Sequence, residues 1–136
     1  MKIPVSVLIL TKNEENDLPG CLESVEWSND IHVYDSYSSD NTVSIAQDFG
    51  AHITRNPNLP SQTMFGGNES EYRKWGLRNI PFQYEWLIQI DADERITYQL
   101  AKEIEHVLKT DSTYVAYNIQ RRDFFLGKWL KNVQTT

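Results

Sequence analysis

Cysteine is nearly absent. Cys21 stands alone among 136 residues, which excludes an internal disulfide and a cysteine-based zinc site. It reads as a small apolar residue packed on a helix. Positive charge is also scarce: thirteen Lys and Arg against nineteen Asp and Glu give a net charge of −6. So acidic a chain lacks the broad basic face that nucleic-acid binding needs, although a locally basic pocket is still compatible. No apolar run approaches the roughly 20 residues that span a bilayer. Met1-Lys2-Ile3-Pro4 leads straight into an apolar segment with no secretory signal. The expected location is cytoplasmic. What is present, 40% apolar and 12% aromatic residues, suffices for one domain with one core.

Along the chain, short apolar runs alternate with helical periodicity. Pro4–Leu10 is a nearly continuous aliphatic run, the mark of a strand covered on both faces. Asp17 is placed to cap a helix carrying Leu18, Leu22 and Val25, with Pro19 in its first turn. Ile31–Asp35 reads as a second strand. Asp40 is placed to cap a helix over Asn41–Phe49 that Gly50 ends. Ala51–Arg55 is a weak third strand, and Asn56–Asn68 a long loop. Glu69–Asn79 is helical and Trp86–Ile90 is a fourth strand. Thr97 starts a helix to about Lys109, with Leu100, Ala101, Ile104, Val107 and Leu108 on one face. Tyr114–Ile119 reads as a last strand. The alternation predicts right-handed βαβ units and a mainly parallel α/β sheet, with ligands at the carboxyl ends of the strands.

Asp91-Ala92-Asp93 closes the fourth strand. Carboxylates at i and i+2 in an extended segment point the same way. Two like charges that close are costly unless a positive group lies between them. Hard cations such as Mg²⁺ and Mn²⁺ take oxygen ligands and share them with substrate phosphates. The competing reading is a solvated acidic turn opening a helix. Polar clusters at the ends of the first strand (Thr11-Lys12-Asn13-Glu14) and the second (Asp35) favour a site along one sheet edge.

Three motifs carry a resemblance: Val5–Glu15 (VSVLILTKNEE), Val33–Thr42 (VYDSYSSDNT) and Asp91–Glu94 (DADE). In this order and spacing the chain resembles the glycosyltransferases of family 2, which have the nucleotide-sugar-binding GT-A fold. The likeness runs from Pro4 to about Trp129. The Asp-Ala-Asp-Glu-Arg run and Arg122–Trp129 are similar to enzymes that add sugars to lipopolysaccharide core.

The resemblance implies a Rossmann-like three-layer α/β/α domain over residues 1–136, truncated relative to the family at the acceptor-binding end. It implies that Thr11 and Glu14 line the base and ribose pocket and that Asp35 accepts a hydrogen bond from base or ribose. It assigns Mg²⁺ or Mn²⁺ to Asp93, with Asp91 holding the ribose or a metal-bound water. Arg73 and Lys74, on the helix after the long loop, are candidates for phosphate contact. The implied reaction is inverting transfer from a nucleotide diphosphate sugar, a UDP-sugar favoured, to a saccharide or lipid-linked acceptor in cell-envelope polysaccharide or lipopolysaccharide synthesis. The simpler alternatives are a strand end for Thr11, an Asx turn for Asp35 and helix-start carboxylates for Glu14 and Glu94. For Arg73 and Lys74 the simpler alternative is a solvated helix face.

The family's second half supplies the acceptor site and a catalytic base. Neither Asp111 nor Asp123 has the context expected of that base, so the catalytic residue is unknown. A non-catalytic nucleotide-sugar-binding or assembly module is the alternative. Arg121–Lys131 mixes cations and aromatics. It reads as a contact for an acceptor or for the inner face of an anionic membrane, or as an orphaned strand that favours self-association. A haloacid-dehalogenase-like phosphatase carries its paired aspartates after the first strand, and a nucleotidyltransferase carries a glycine-rich loop there. This chain has neither.

Overall fold

The computed structural model describes residues 2–57, 69–110, 113–125 and 128–130. Strand β1 (Val5–Thr11) leads through helix α1 (Leu18–Ser24) to β2 (Ile31–Asp35), and α2 (Thr42–Phe49) leads to β3 (His52–Thr54). Helix α3 (Glu69–Asn79) precedes β4 (Trp86–Asp91), and α4 (Tyr98–Thr110) follows it. A small hairpin of β5 (Asp123–Phe125) and β6 (Lys128–Leu130) comes last.

The sheet order is β3-β2-β1-β4, and every pairing is parallel. β1 is buried at all seven positions because strands flank it and helices cover both faces. Its alternation divides the core. Val5, Val7 and Ile9 join Leu18, Leu22, Val33, Ala46 and Ala101 on one face. Leu8 and Leu10 join Tyr34, Tyr72 and Ile80 on the other. α1, α2 and α4 therefore cover one face and α3 the other, as a three-layer α/β/α domain. On α4, Leu100, Ile104 and Leu108 are partly buried against the core beside Ala101, whereas Val107 lies outside this cluster.

α3 approaches β2 very closely. A Cβ on Gly76 would lie 2.6 Å from Tyr34 Cε2, so only glycine fits without a shift. One turn earlier Tyr72 stacks on Tyr34 with ring centroids 4.1 Å apart, and Tyr34 Oη donates to the Tyr72 carbonyl.

Three local expectations are corrected. Asp17 sits at the N-cap of α1 but makes no side-chain cap bond. Pro19 near the helix start has no N–H to offer, and the Asp17 carboxylate instead lies 3.8 Å from Arg95. α2 starts at Thr42 with Asn41 rather than Asp40 at its N-cap and no side-chain cap bond; Asp40 Oδ1 accepts from the Thr42 N–H at 3.0 Å, and Gly50 ends the helix as read, left-handed at φ +92°. The expected strand at Tyr114–Ile119 does not form. Val115 is 94% exposed there, and no sheet partner pairs with the segment among the described residues.

Candidate functional site

Parallel pairing brings the strand ends to one edge. Thr11 is opposite Asp35, and Leu10 is opposite Asp91. The loops after β1 and β2 are laced together there. The Asn13 N–H donates to Ser38 Oγ at 2.8 Å, while Asn13 Oδ1 accepts from the Ser39 N–H at 2.8 Å. The Glu14 N–H donates to Thr42 Oγ1 at 2.8 Å, and Lys12 Nζ donates to the Tyr37 carbonyl at 2.9 Å. Asn13 and Tyr37 hold left-handed backbone at φ 54° and 55°, which lets both loops turn within a few residues. Burial works to raise the Asp40 carboxyl. Hydrogen bonds from the Thr42 hydroxyl and from the Thr42 and Glu15 N–H groups outweigh it and hold the group below its usual range.

Asp35 is fully buried. Its Oδ1 accepts from Thr11 Oγ1 at 2.7 Å and Ser38 Oγ at 2.6 Å. Its Oδ2 accepts from the Ser38 N–H at 2.9 Å and from Arg55 Nε and Nη2 at 3.2 Å each. Thr11 is likewise buried, and its hydroxyl orients Asp35.

The β4 end is open. Asp91 is 53% exposed at its side chain, and Asp93 is exposed. The turn is fixed by its backbone. The Asp91 N–H donates to Glu94 Oε1 at 2.8 Å, and the Glu94 N–H donates to the Asp91 carbonyl at 3.0 Å. Arg95 ties the turn to α1 by donating to the carbonyls of Ala92 and Asp17. Glu94 therefore supports the acidic turn rather than the helix that follows.

Glu14 belongs to the same charge cluster. Its carboxyl is raised above the usual range, first by burial and then by Asp93, Asp17, Asp91 and Asp40. Arg73 Nη2 is 3.9 Å from Asp91 Oδ1 and 2.7 Å from Glu69 Oε1, so the site does receive this cation. Lys74 pairs with Glu71 on its own helix at 3.6 Å and is not brought to Asp91. Cys21 is buried as expected, its thiol pushed up to about 12 mainly by burial. Sequence reasoning missed Ser38, Arg55 and Arg95. For Arg55 a signal existed, a lone cation at the carboxyl end of a strand.

The profile of glycosyl transferase family 2 matches residues 6–134. The chain belongs to glycosyltransferase family 2. An uncharacterized glycosyltransferase of Rickettsia conorii is 31% identical over 119 residues, covering 85% of this chain and 39% of that protein. The lipopolysaccharide core biosynthesis glycosyltransferase LpsC of Rhizobium meliloti is 28% identical over 133 residues, covering 93% of this chain and 45% of that protein. The chain thus spans about two-fifths of the length of these curated relatives. Residues 1–349 of TarS from S. aureus superpose with a TM-score of 0.61 at 19% identity, over 80% of this chain and 32% of that one. The same fragment in complex with UDP gives 0.56 at 18% identity, with the same coverage. The fold of this family-2 chain is GT-A. No helix among its described residues is long and apolar enough to cross a membrane.

Proposed function

We propose that this chain binds the donor of a metal-dependent, inverting glycosyltransferase. The donor is a nucleotide diphosphate sugar, a UDP-sugar favoured. The acceptor is a saccharide or lipid-linked saccharide of cell-envelope polysaccharide or lipopolysaccharide. One observation carries the reading: within a family-2 domain, strand register sets the exposed Asp91 beside the end of β1, with Asp93 next to it and Arg73 in reach. UDP in the TarS complex and the lipopolysaccharide role of LpsC point the same way.

The residues present fit Mg²⁺ or Mn²⁺. Asp91 and Asp93 offer hard carboxylate oxygens at the surface, and Glu14, raised first by burial and then by these acids, belongs to the same cluster. Among the described residues no group of three or more His, Cys, Asp or Glu forms a cage. The proposed ion is shared with substrate phosphates and held by Asp93, with Asp91 in support. When bound, the ion supplies Lewis-acid stabilisation of the departing diphosphate. The chain's own part is to bind and orient. Arg73 faces the diphosphate oxygens, Glu14 and Thr11 border the nucleoside, and Lys74 follows only if its helix turns toward the ligand. Arg121–Lys131 is the proposed contact for acceptor or anionic membrane, and it lies mainly outside the residues whose side chains are described.

Calorimetry with UDP and UDP-glucose, with and without Mn²⁺, tests the reading. Metal-dependent binding that Asp93→Ala removes supports it. Absence of binding to the folded chain rejects it. Binding without transfer to envelope acceptors in any assay marks a nucleotide-sugar-binding or assembly module instead.

A further inference from the structure

Arg55, at the carboxyl end of β3, has no part in the roles above. It nevertheless occupies the group expected to meet the base. A carboxylate offers about four lone-pair directions. Thr11 Oγ1, Ser38 Oγ, the Ser38 N–H and two Arg55 N–H groups already fill Asp35, which is fully buried. Asp35 has no direction left with which to accept from a ligand. Arg55 is the opposite case. Its side chain is 39% exposed, and its guanidinium carbon lies 5.1 Å from the Tyr37 ring centre. Nε and one Nη2 hydrogen engage Asp35. The N–H groups of Nη1 and the second on Nη2 meet no acceptor among the described residues.

The sheet order sets the scale. From β4 to β3 is three strand spacings, about 14 Å at ~4.8 Å each. An extended nucleoside diphosphate has this reach. With its phosphates at Asp91–Asp93, its base arrives over the ends of β2 and β3, where Arg55 is.

We infer that Arg55, propped between Asp35 and Tyr37, reads the nucleobase of the donor and selects a keto base over an amino base of the same ring size. The inference rests on the donor-site reading above. The chemistry is one of sign. A guanidinium only donates. Uracil O4 and guanine O6 accept, whereas cytosine N4 and adenine N6 donate. The amino bases therefore leave Arg55 facing another donor.

The test is calorimetric titration of UDP, CDP, GDP and ADP, each with Mn²⁺, into the wild type, Arg55→Ala, Arg55→Gln and Asp93→Ala. The wild type is expected to prefer UDP to CDP, or GDP to ADP, by about ten-fold or more. The pair with the larger ratio identifies the ring size. Arg55→Ala brings that ratio close to one. Arg55→Gln keeps a side-chain N–H for Asp35 but carries an amide oxygen beside its nitrogen, so it meets either base edge and its ratio falls too, and it decides the matter where the alanine variant fails to fold. Asp93→Ala weakens every nucleotide and leaves the ratio unchanged. A wild-type ratio near one, or a full ratio retained in Arg55→Gln, overturns the assignment of Arg55 while the donor site stands. No binding of any nucleotide by the folded wild type overturns the donor site, and this inference with it.

Discussion

Asp35 and Asp91 end the two strands that flank β1, yet one is sealed and the other is bare. Five donors close around Asp35, and none of its side chain is exposed. Asp91 keeps 53% of its side chain exposed and has, among the described residues, one distant cation, Arg73 at 3.9 Å. A buried carboxylate is tolerable only when paired and hydrogen-bonded, so Asp35 is built into the frame. An exposed pair of acids keeps its lone pairs for something that arrives later. Acidic residues at matching strand ends thus divide into one that holds the loops and one left open, which the proposed function assigns to the ligand.

The difference can be broken from either side. The largest expected effect on stability is that of Asp35→Ala. It leaves Arg55, Thr11 and Ser38 without their common acceptor and should lower unfolding free energy by about 3 kcal/mol in urea titration. Asp93→Ala should move it by no more than about 0.5 kcal/mol, as surface changes do. Equal losses in the two variants would erase the distinction between frame and ligand group. Gly76→Ala strikes the packing behind Asp35, where Tyr34 has to shift; it should cost about 2 kcal/mol. Ser38→Ala removes one donor to Asp35 and the acceptor of the Asn13 N–H, for about 1 kcal/mol.

A smaller effect sharpens the comparison at the other end of β2. His32 is buried, and its Nε2 lies 2.8 Å from Asp30 Oδ1. Burial lowers the His32 pKa against the opposing pull of Asp30. The neutral ring therefore donates from Nε2, and Nδ1 has no partner among the described residues. Burial also works to raise Asp30, but the Ser6 hydroxyl, the Gln83 N–H and His32 outweigh it and keep its pKa low. Both folded-state values lie below the unfolded ones. As pH falls below 6.5, the ordinary histidine value, the unfolded chain takes up a proton that folded His32 refuses, and stability declines. Asp30 adds the same sign below 3.8. Thermal melts from pH 7 to pH 5 should show a falling midpoint, and His32→Gln should flatten the slope. A midpoint that rises on acidification would contradict the neutral assignment.

The frame was more legible in the sequence than the site was. The aliphatic run of β1 and the polar stretches around it mark a strand covered on both faces, and α3 spans Glu69–Asn79 as its residues indicate. Tyr114–Ile119 has strand composition but no partner strand among the described residues, and composition alone cannot supply one. In the site, the positions of Thr11, Glu14, Asp35, Asp91 and Asp93 follow from strand order. The saturation of Asp35 does not, because Arg55 comes from twenty residues away and each donor takes a lone pair that spacing cannot assign. Arg73 and Lys74 are neighbours in sequence, but a helix turns about 100° per residue, and only the first is carried to Asp91.

The most direct test is to follow the electron paramagnetic resonance signal of free Mn²⁺ while the chain is added in the presence of UDP. The account predicts that the wild type removes about one ion per chain from solution, and that Asp93→Ala, folded and equally stable, removes almost none. Equal uptake by the two proteins, or none by the wild type, would contradict the assignment of the bare acidic turn to the ligand.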